Sequence, residues 1–474
     1  MVAFHNRIII TFFCFVLLIC SVVAGYYSHP IVVVIPAGMV LILLLIQQPQ
    51  WIIYLLFASI PWSIEYKFSN QLGTDLPDEP LMWLTAFTFL VGFMYRSKLI
   101  DFKRIHFLIL ILVLQYVWIG VTVVFSTDIT VSAKYFIAKT WYLLAFVGAP
   151  ILFLKSEKEV KTTITILLFS MLAVVAIVLV CHSTFNFSFE KVNNALLPFF
   201  RNHVNYSALL VFMVPILVAF IQLTRWRIYK VLLVLSLIFV IAALYLSYSR
   251  GAWLALVAGV LSYWLIQKRL LVVAFVFAFL LVIVSIFYLK NNNRYLQFAH
   301  DYNTTIFHED FREHLKATYT LKDVSTAERF YRWIAGVRMV KDSWITGFGP
   351  TTFYDNYKSY TVPLFKTWVS KNEERSTVHN YFLLLLVEQG ILGLLLFLIL
   401  LGALLWYAQI IYHRTTNPFW KVSAAAIVVI LVMQGVVNFL SDLVETDKVG
   451  SIFYFCIAIL VIADRATKKE ITPA

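Results

Sequence analysis

The sequence predicts an all-α integral membrane protein, a polytopic bundle of about twelve to fourteen transmembrane helices carrying one large, partly helical loop. Three observations predict it. Of 474 residues, 61% are hydrophobic and only 13% charged, with a mean hydropathy of +0.84, roughly half the charge of an ordinary soluble domain. The apolar residues gather into runs long enough to approach the ~30 Å hydrocarbon core of a bilayer. Aromatic residues make up 17%, which suits Phe facing lipid and Tyr and Trp at headgroup depth.

The runs lie near 8–26, 31–47, 50–64, 81–95, 105–125, 139–154, 163–181, 207–223, 231–248, 252–267, 270–288, 380–411, 423–441 and 449–463. The first follows Met1 to Arg7 without a small-residue cleavage site, so it reads as a transmembrane helix rather than a removable leader. Residues 31–64 fit two short spans or one broken, re-entrant element. The chain thus divides into an N-terminal transmembrane bundle (1–289), a large loop (290–378) and C-terminal transmembrane helices (379–474).

Orientation follows from the cations between runs. One set of connections holds Arg7, Arg96, Lys98, Lys103, Arg104, Lys155, Lys158, Lys161, Arg225, Arg227, Lys230, Lys268, Arg269, Arg414, Lys421, Arg465, Lys468 and Lys469. The short connections of the other set hold Lys67, Lys134, Lys139, Lys191, Arg201, Arg250 and Lys448, a bias of 18 to 7. The richer set is expected in the cytoplasm with both termini, and the large loop outside. The net charge of +13 is therefore an orientation signal scattered in small clusters, and nucleic-acid binding is excluded. Cys14, Cys20, Cys181 and Cys456 fall within or at the ends of apolar runs without metal-ligand spacing, and read as buried thiols.

Within the loop, Ser325-Thr326-Ala327-Glu328 has capping-box spacing, and Arg329 to Ser343 reads as one amphipathic helix with Phe330, Trp333, Ile334, Val337 and Met339 on its apolar face. Trp344 to Pro350 follows as a glycine-punctuated turn.

Three outer-face cationic or titratable residues stand against the charge bias: Arg201 before the run at 207, Arg250 at a helix junction, and His379 opening a helix. Each has a structural alternative, since an interfacial Arg can snorkel to lipid phosphate and an interfacial His can simply be hydrogen-bonded. Their coincidence on one face, beneath a folded loop, points to chemistry. Guanidinium groups grip a diphosphate bidentately, and imidazole takes a proton from a hydroxyl near neutral pH. Supporting candidates are Arg329 at the start of the loop helix, Asn380, Asn205 and Glu388, the last nine residues beyond His379, or ~13 Å deeper along a continuous helix. Gly390 and Gly393 suit close packing or a kink, and Asn438 and Asp442 share a face near the outer end of their run.

His379-Asn380, nine residues, Gly390, two residues and Gly393 match the HN-x9-G-x-x-G pattern of the bacterial O-antigen ligase and polymerase family, which this chain resembles over about residues 200 to 400. Tyr248-Ser249-Arg250-Gly251-Ala252-Trp253 is similar to that family's SRG-A-W segment, and Arg329 through Gly347-Phe348-Gly349-Pro350 to Phe353 to its loop helix followed by G-x-G-P-x-x-F. The resemblance implies a membrane glycosyltransferase of the C type (GT-C-like) in a bacterial inner membrane, its site facing the periplasm. The implied donor is an undecaprenyl-diphosphate-linked glycan. The acceptor would be lipid A-core oligosaccharide for a ligase, another lipid-linked glycan for a polymerase, or a protein hydroxyl, with no nucleotide sugar, cofactor or metal. It assigns the essential histidine to His379, the SRG arginine to Arg250 and a loop arginine to Arg201. The runs allow more spans than the family's usual bundle. Asp301, Glu309 and Asp310 in the loop form no DxD-like site and read as an acidic surface. The rival class, a transporter or flippase of lipid-linked sugars, would show internal repeats and paired mid-membrane ionisable residues, and the sequence displays neither.

Overall fold

Helices make up nearly every described element, as the apolar runs require of backbone with no water to bond to. The computed structural model describes residues 48–67, 73–96, 105–292, 324–362 and 377–471, with positions 15–16, 18–20, 22–23 and 294 besides. The expected span at 31–47 lies outside the described residues, and of that at 8–26 only the isolated positions are described, all helical. Arg7, Cys14, Lys98, Lys103, Arg104, Asp301, Glu309 and Asp310 also lie outside them.

The described helices are α1 (Gln50–Ser59), α2 (Asp78–Arg96), α3 (Phe107–Val124), α4 (Ile129–Phe153, with a π-helical turn at Leu144–Gly148), α5 (Glu157–Thr184), α6 (His203–Leu223) and α7 (Arg227–Tyr245). There follow α8 (Arg250–Gln267), α9 (Leu271–Lys290), α10 (Val324–Asp342), α11 (Tyr381–Arg414), α12 (Pro418–Leu440) and α13 (Asp447–Ile471). Nine of the described helices are long and apolar enough to cross a membrane. Of the others, α2 and α8 have spanning length, at 19 and 18 residues. One antiparallel hairpin, β1 (Ile64–Lys67) with β2 (Gly73–Leu76), joins α1 to α2 in the register Ile64 to Leu76. The chain is thus an all-α, multi-pass membrane protein. Its packed centre is α6, α12 and α13: 89% of the spanning stretch of α13 and 67% of that of α12 are buried, against 6% for α9 at the rim.

Side-chain caps start many of these helices where the sequence places Ser, Asp or Asn. Ser156 and Glu159 form a capping box on α5, Asp128 caps α4, Asn202 caps α6, and Asn417 caps α12 ahead of Pro418. Residues 63–67, 73–77, 125–128, 185–202, 246–249, 343–362, 377–380 and 441–446 gather at one end of the bundle, here the loop end. Bonds from the α3–α4 connection and α4 to the loop, and from α13 to the residue before the hairpin, fix this: Thr127 N–H to Phe348 O (2.9 Å), Ser132 Oγ to Pro350 O (2.7 Å) and Lys448 Nζ to Ser63 O (2.9 Å).

Four expectations are corrected. Lys134 and Lys139 lie inside α4, which begins about three turns before the apolar run because Asp128 caps it. Lys448 lies inside α13 rather than in a connection. The loop helix starts at Val324, so Ser325 is its second residue rather than its N-cap. Its buried stripe is Ala327, Glu328, Tyr331, Arg332, Ala335 and Met339, while Val337 is 46% exposed, because an ion pair occupies the face a purely apolar reading assigns to neighbouring residues. Of the cysteines, Cys456 is buried and Cys20 and Cys181 are half-buried, all free thiols.

Candidate active site

The span expected from 380 to 411 is not one continuous helix. Gly390 has φ 68° and ψ −172°, which interrupts α11 after nine residues. A side chain there would strike Ile345 O, so only glycine serves. The turn after α10 fills the interruption. Phe348 N–H donates to Val387 O, Gly349 N–H to Glu388 O and Ile391 N–H to Trp344 O, each 2.9 Å, and Trp118 Nε1 donates to Gln389 O at 2.8 Å. Backbone groups freed by the break are therefore bonded by the loop turn, as a low-dielectric surround demands.

Glu388 joins the same seam. Its carboxylate accepts from Thr351 N–H (2.9 Å) and Phe353 N–H (3.1 Å). Since Phe348 O also accepts from Thr127 N–H in the turn between α3 and α4, Glu388 sits level with the loop-end turns. The helix from Tyr381 to Gln389 is continuous, so Glu388 lies at its far end from His379, just before the break, where it clamps the loop to the bundle.

His379 lies in the short segment between loop and α11, with its backbone in the left-handed region at φ 54°. The flanking anchors are dense. Asn380 caps α11 by accepting from Leu383 N–H at 3.0 Å, Tyr381 N–H donates to Ser441 O at 3.1 Å, and Thr377 Oγ1 accepts from His379 N–H at 3.4 Å. Gly336 of α10 packs on Val378 and Leu383.

The charges bearing on His379 are cationic. Arg332 is 0% exposed. Its Nε and Nη2 reach Glu328 Oε1 at 2.8 and 2.7 Å, its Nη1 donates to Thr377 O at 2.8 Å, and its guanidinium stands 5.9 Å from the Tyr357 ring centre. Arg329 Nε donates to Leu440 O at 3.3 Å. Burial, then Arg332, then Arg329 push His379 down from 6.5 to about 3, leaving its imidazole neutral. Asp442 hydrogen-bonds Thr377, and burial holds its carboxyl above the ordinary aspartate range.

Arg250 is the first residue of α8 and half-exposed. Its neighbour Gly251 abuts Leu440, the residue whose carbonyl receives Arg329. Arg250, Arg329 and His379 therefore converge on the end of α12 at Leu440–Ser441. Arg201 is placed differently: its side chain is 72% exposed and bonds Glu65 Oε2 of the hairpin at 3.0 Å (Nε) and 2.9 Å (Nη2). Asn205, one turn into α6, keeps a buried Oδ1 without a hydrogen-bond partner. Arg332 and Glu328 are the site residues least visible in the sequence, while Asp442, paired there with Asn438, lies past the end of α12 at Leu440. Only the i, i+4 spacing of Glu328 and Arg332 hinted at their pair. Among the described residues, no group of three or more His, Cys, Asp or Glu is placed to hold a metal ion.

The family resemblance is borne out by comparison with known proteins. Residues 235–398 match the family model described as O-antigen ligase. An O-antigen ligase of Salmonella typhimurium is 30% identical over 269 residues, 56% of this chain and 60% of the relative. The matched stretch thus spans about three-fifths of that relative's length. The family match includes Arg250, Arg329, Arg332, His379, Glu388 and Gly390, and begins after Arg201 and Asn205.

Proposed function

We propose that this protein, a multi-pass membrane chain similar to O-antigen ligases, moves a glycan from undecaprenyl diphosphate to an acceptor hydroxyl of lipid A-core oligosaccharide. The loop end would face the periplasm from the inner membrane, both termini lying in the cytoplasm, because the opposite end holds most of the Lys and Arg. The observation that carries the reading is a neutral imidazole, His379, faced by Arg332 and Arg329 beside the N-terminus of α8.

Arg250 and Arg329 hold the diphosphate, adding guanidinium charge to the start of a helix that already favours anions. His379 takes the proton of the acceptor hydroxyl. The acceptor oxygen bonds to the anomeric carbon from the face opposite the phosphate, the carbon–oxygen bond to phosphate breaks, and the electron pair leaves on undecaprenyl diphosphate. Inversion at that carbon follows. The arginines neutralise the leaving group, so the mechanism calls on no divalent cation. An imidazole pushed down to about 3 is a weak base until the diphosphate offsets the guanidinium charge and lets its proton affinity climb. The base is strengthened by the donor that it serves.

Deleting the gene and resolving surface glycans by electrophoresis tests the reading. Lipid A-core without attached glycan, restored by the wild-type gene, is the expected result. Single capped repeats would assign a polymerase with the same donor and site, full-length glycan on a protein rather than on core would assign protein glycosylation, and unchanged glycans would overturn the reading.

A further inference from the structure

We propose that the buried pair Lys139–Glu445 is a positioning device that sets the backbone of His379 through the turn at 441–446, which bonds the N–H of Tyr381. This rests on the reading of His379 as the base. Lys139 sits inside α4 with its side chain 7% exposed and its Nζ 2.9 Å from Glu445 Oε2. The rings of Tyr135, Tyr142 and Tyr454 surround the ammonium at 5.2, 5.8 and 5.3 Å. Tyr135 OH donates to Glu445 Oε1 at 3.1 Å.

A charge pair in such a place is a poor device for stability alone, since desolvation of both ions offsets most of their attraction and apolar packing would do as well. An ionisable residue within a spanning helix is expected to have a task. The turn that holds Glu445 shows what the task is. Tyr381 is fixed at two points, its N–H by Ser441 O at 3.1 Å and its ring edge-on to Phe397 at 5.0 Å, and Ser441 opens the turn that carries Glu445. Two residues upstream, His379 is in the left-handed region at φ 54°, a conformation that persists only where its flanks are over-determined. The turn that carries Glu445 also carries Asp442, which holds Thr377 on the other flank, and its Val444 N–H is tied to Asn438 Oδ1 at 3.3 Å. One turn therefore grips both sides of the histidine, and Lys139 pins that turn to α4. Neither Lys139 nor Glu445 touches the reacting atoms, so their effect runs through geometry, where a displacement of ~1 Å costs up to about a hundredfold in rate.

The test uses the full chain in a reconstituted transfer assay with a lipid-linked glycan donor. Lys139→Met with Glu445→Gln removes both charges together, so no ion is stranded; kcat is expected to fall about tenfold with KM for the donor within about twofold, and Lys139→Arg, which keeps the cation, is expected to retain most of kcat. Scoring kcat per donor-binding molecule separates geometry from loss of folded protein. Wild-type kcat per binding molecule in the double variant while His379→Ala is inactive overturns the proposal, whether or not the thermal midpoint falls. Retained transfer in His379→Ala overturns the site itself, and the network's role with it.

Discussion

Two histidines, one at each end of the bundle, His106 buried and His379 half-buried, carry opposite surroundings. His106, away from the loop end, caps α3 by accepting from Leu108 N–H at Nδ1 (3.2 Å), which leaves Nε2 to donate to Asp464 at 3.2 Å, and its ring packs on Tyr407 at 4.6 Å. His379 meets guanidinium groups instead of a carboxylate, on a backbone at φ 54°. The first imidazole has both nitrogens satisfied by the fold and is a structural joint. The second is kept neutral first by burial and then by guanidinium charges that an anion can offset, the arrangement expected of a group that waits for substrate. Neighbouring connections repeat the contrast: Glu470 accepts from Thr415 and Thr416, and Glu157 from Asn417, all helix-joining bonds, whereas Arg329, Arg332 and Asp442 surround the segment that holds His379.

The largest expected effect breaks the pair apart directly. His379→Ala should lower transfer by about 10²- to 10⁴-fold, the usual worth of a general base, with the thermal midpoint in detergent unchanged. His106→Ala should leave transfer near wild type yet cost about 1–3 kcal/mol of stability through a lost cap and a buried carboxylate left short of a donor. If the two variants exchanged these outcomes, the assignment of roles would be reversed.

An intermediate effect sharpens the electrostatic half of the contrast. His379 is pushed from 6.5 to about 3 in the fold, so the unfolded chain binds its proton first on acidification. The stability contributed by the neutral imidazole is present above pH 6.5 and is lost as pH falls from there to about 3. In the free enzyme, kcat/KM should accordingly stay level on the acid side to well below pH 6.5. Arg332→Met with Glu328→Gln, which removes the guanidinium without stranding a carboxylate, should move the acid limb of kcat/KM upward by about one pH unit or more. A limb that stayed in place would detach Arg332 from the base.

The smallest effect concerns Arg201. Its exposed pair with Glu65 is worth about 0–1 kcal/mol, and Arg201→Ala should reduce transfer far less than loss of His379. A loss matching that of His379→Ala would return Arg201 to the diphosphate grip.

The apolar runs made the bundle legible, because lipid demands a helix for each and the charge bias marks the loop end. His379 was legible for the same reason: a titratable residue beside a helix start on the cation-poor face, within a motif. Arg332 was not. An arginine in an amphipathic helix reads as a solvated face, and its burial depends on Glu328 and on Thr377, 45 residues away in sequence, which no local period records. Glu388 was legible as buried but not as placed, since glycine spacing announces a possible kink without saying what enters it. Lys139 was read as a loop cation because the apolar run begins at its own position, whereas the cap at Asp128 extends the helix outward past it.

The interruption at Gly390 has a consequence for substrate traffic. Five hydrogen bonds, from Phe348, Gly349, Thr351, Phe353 and Ile391, weave the turn after α10 into a membrane helix. Swinging it away like a lid would leave those backbone groups without partners, at several kcal/mol each where water is scarce. A roof stitched to its wall in this manner does not hinge. Donor and acceptor would have to slide in sideways between helices at headgroup level, along the plane in which a lipid-linked glycan already diffuses.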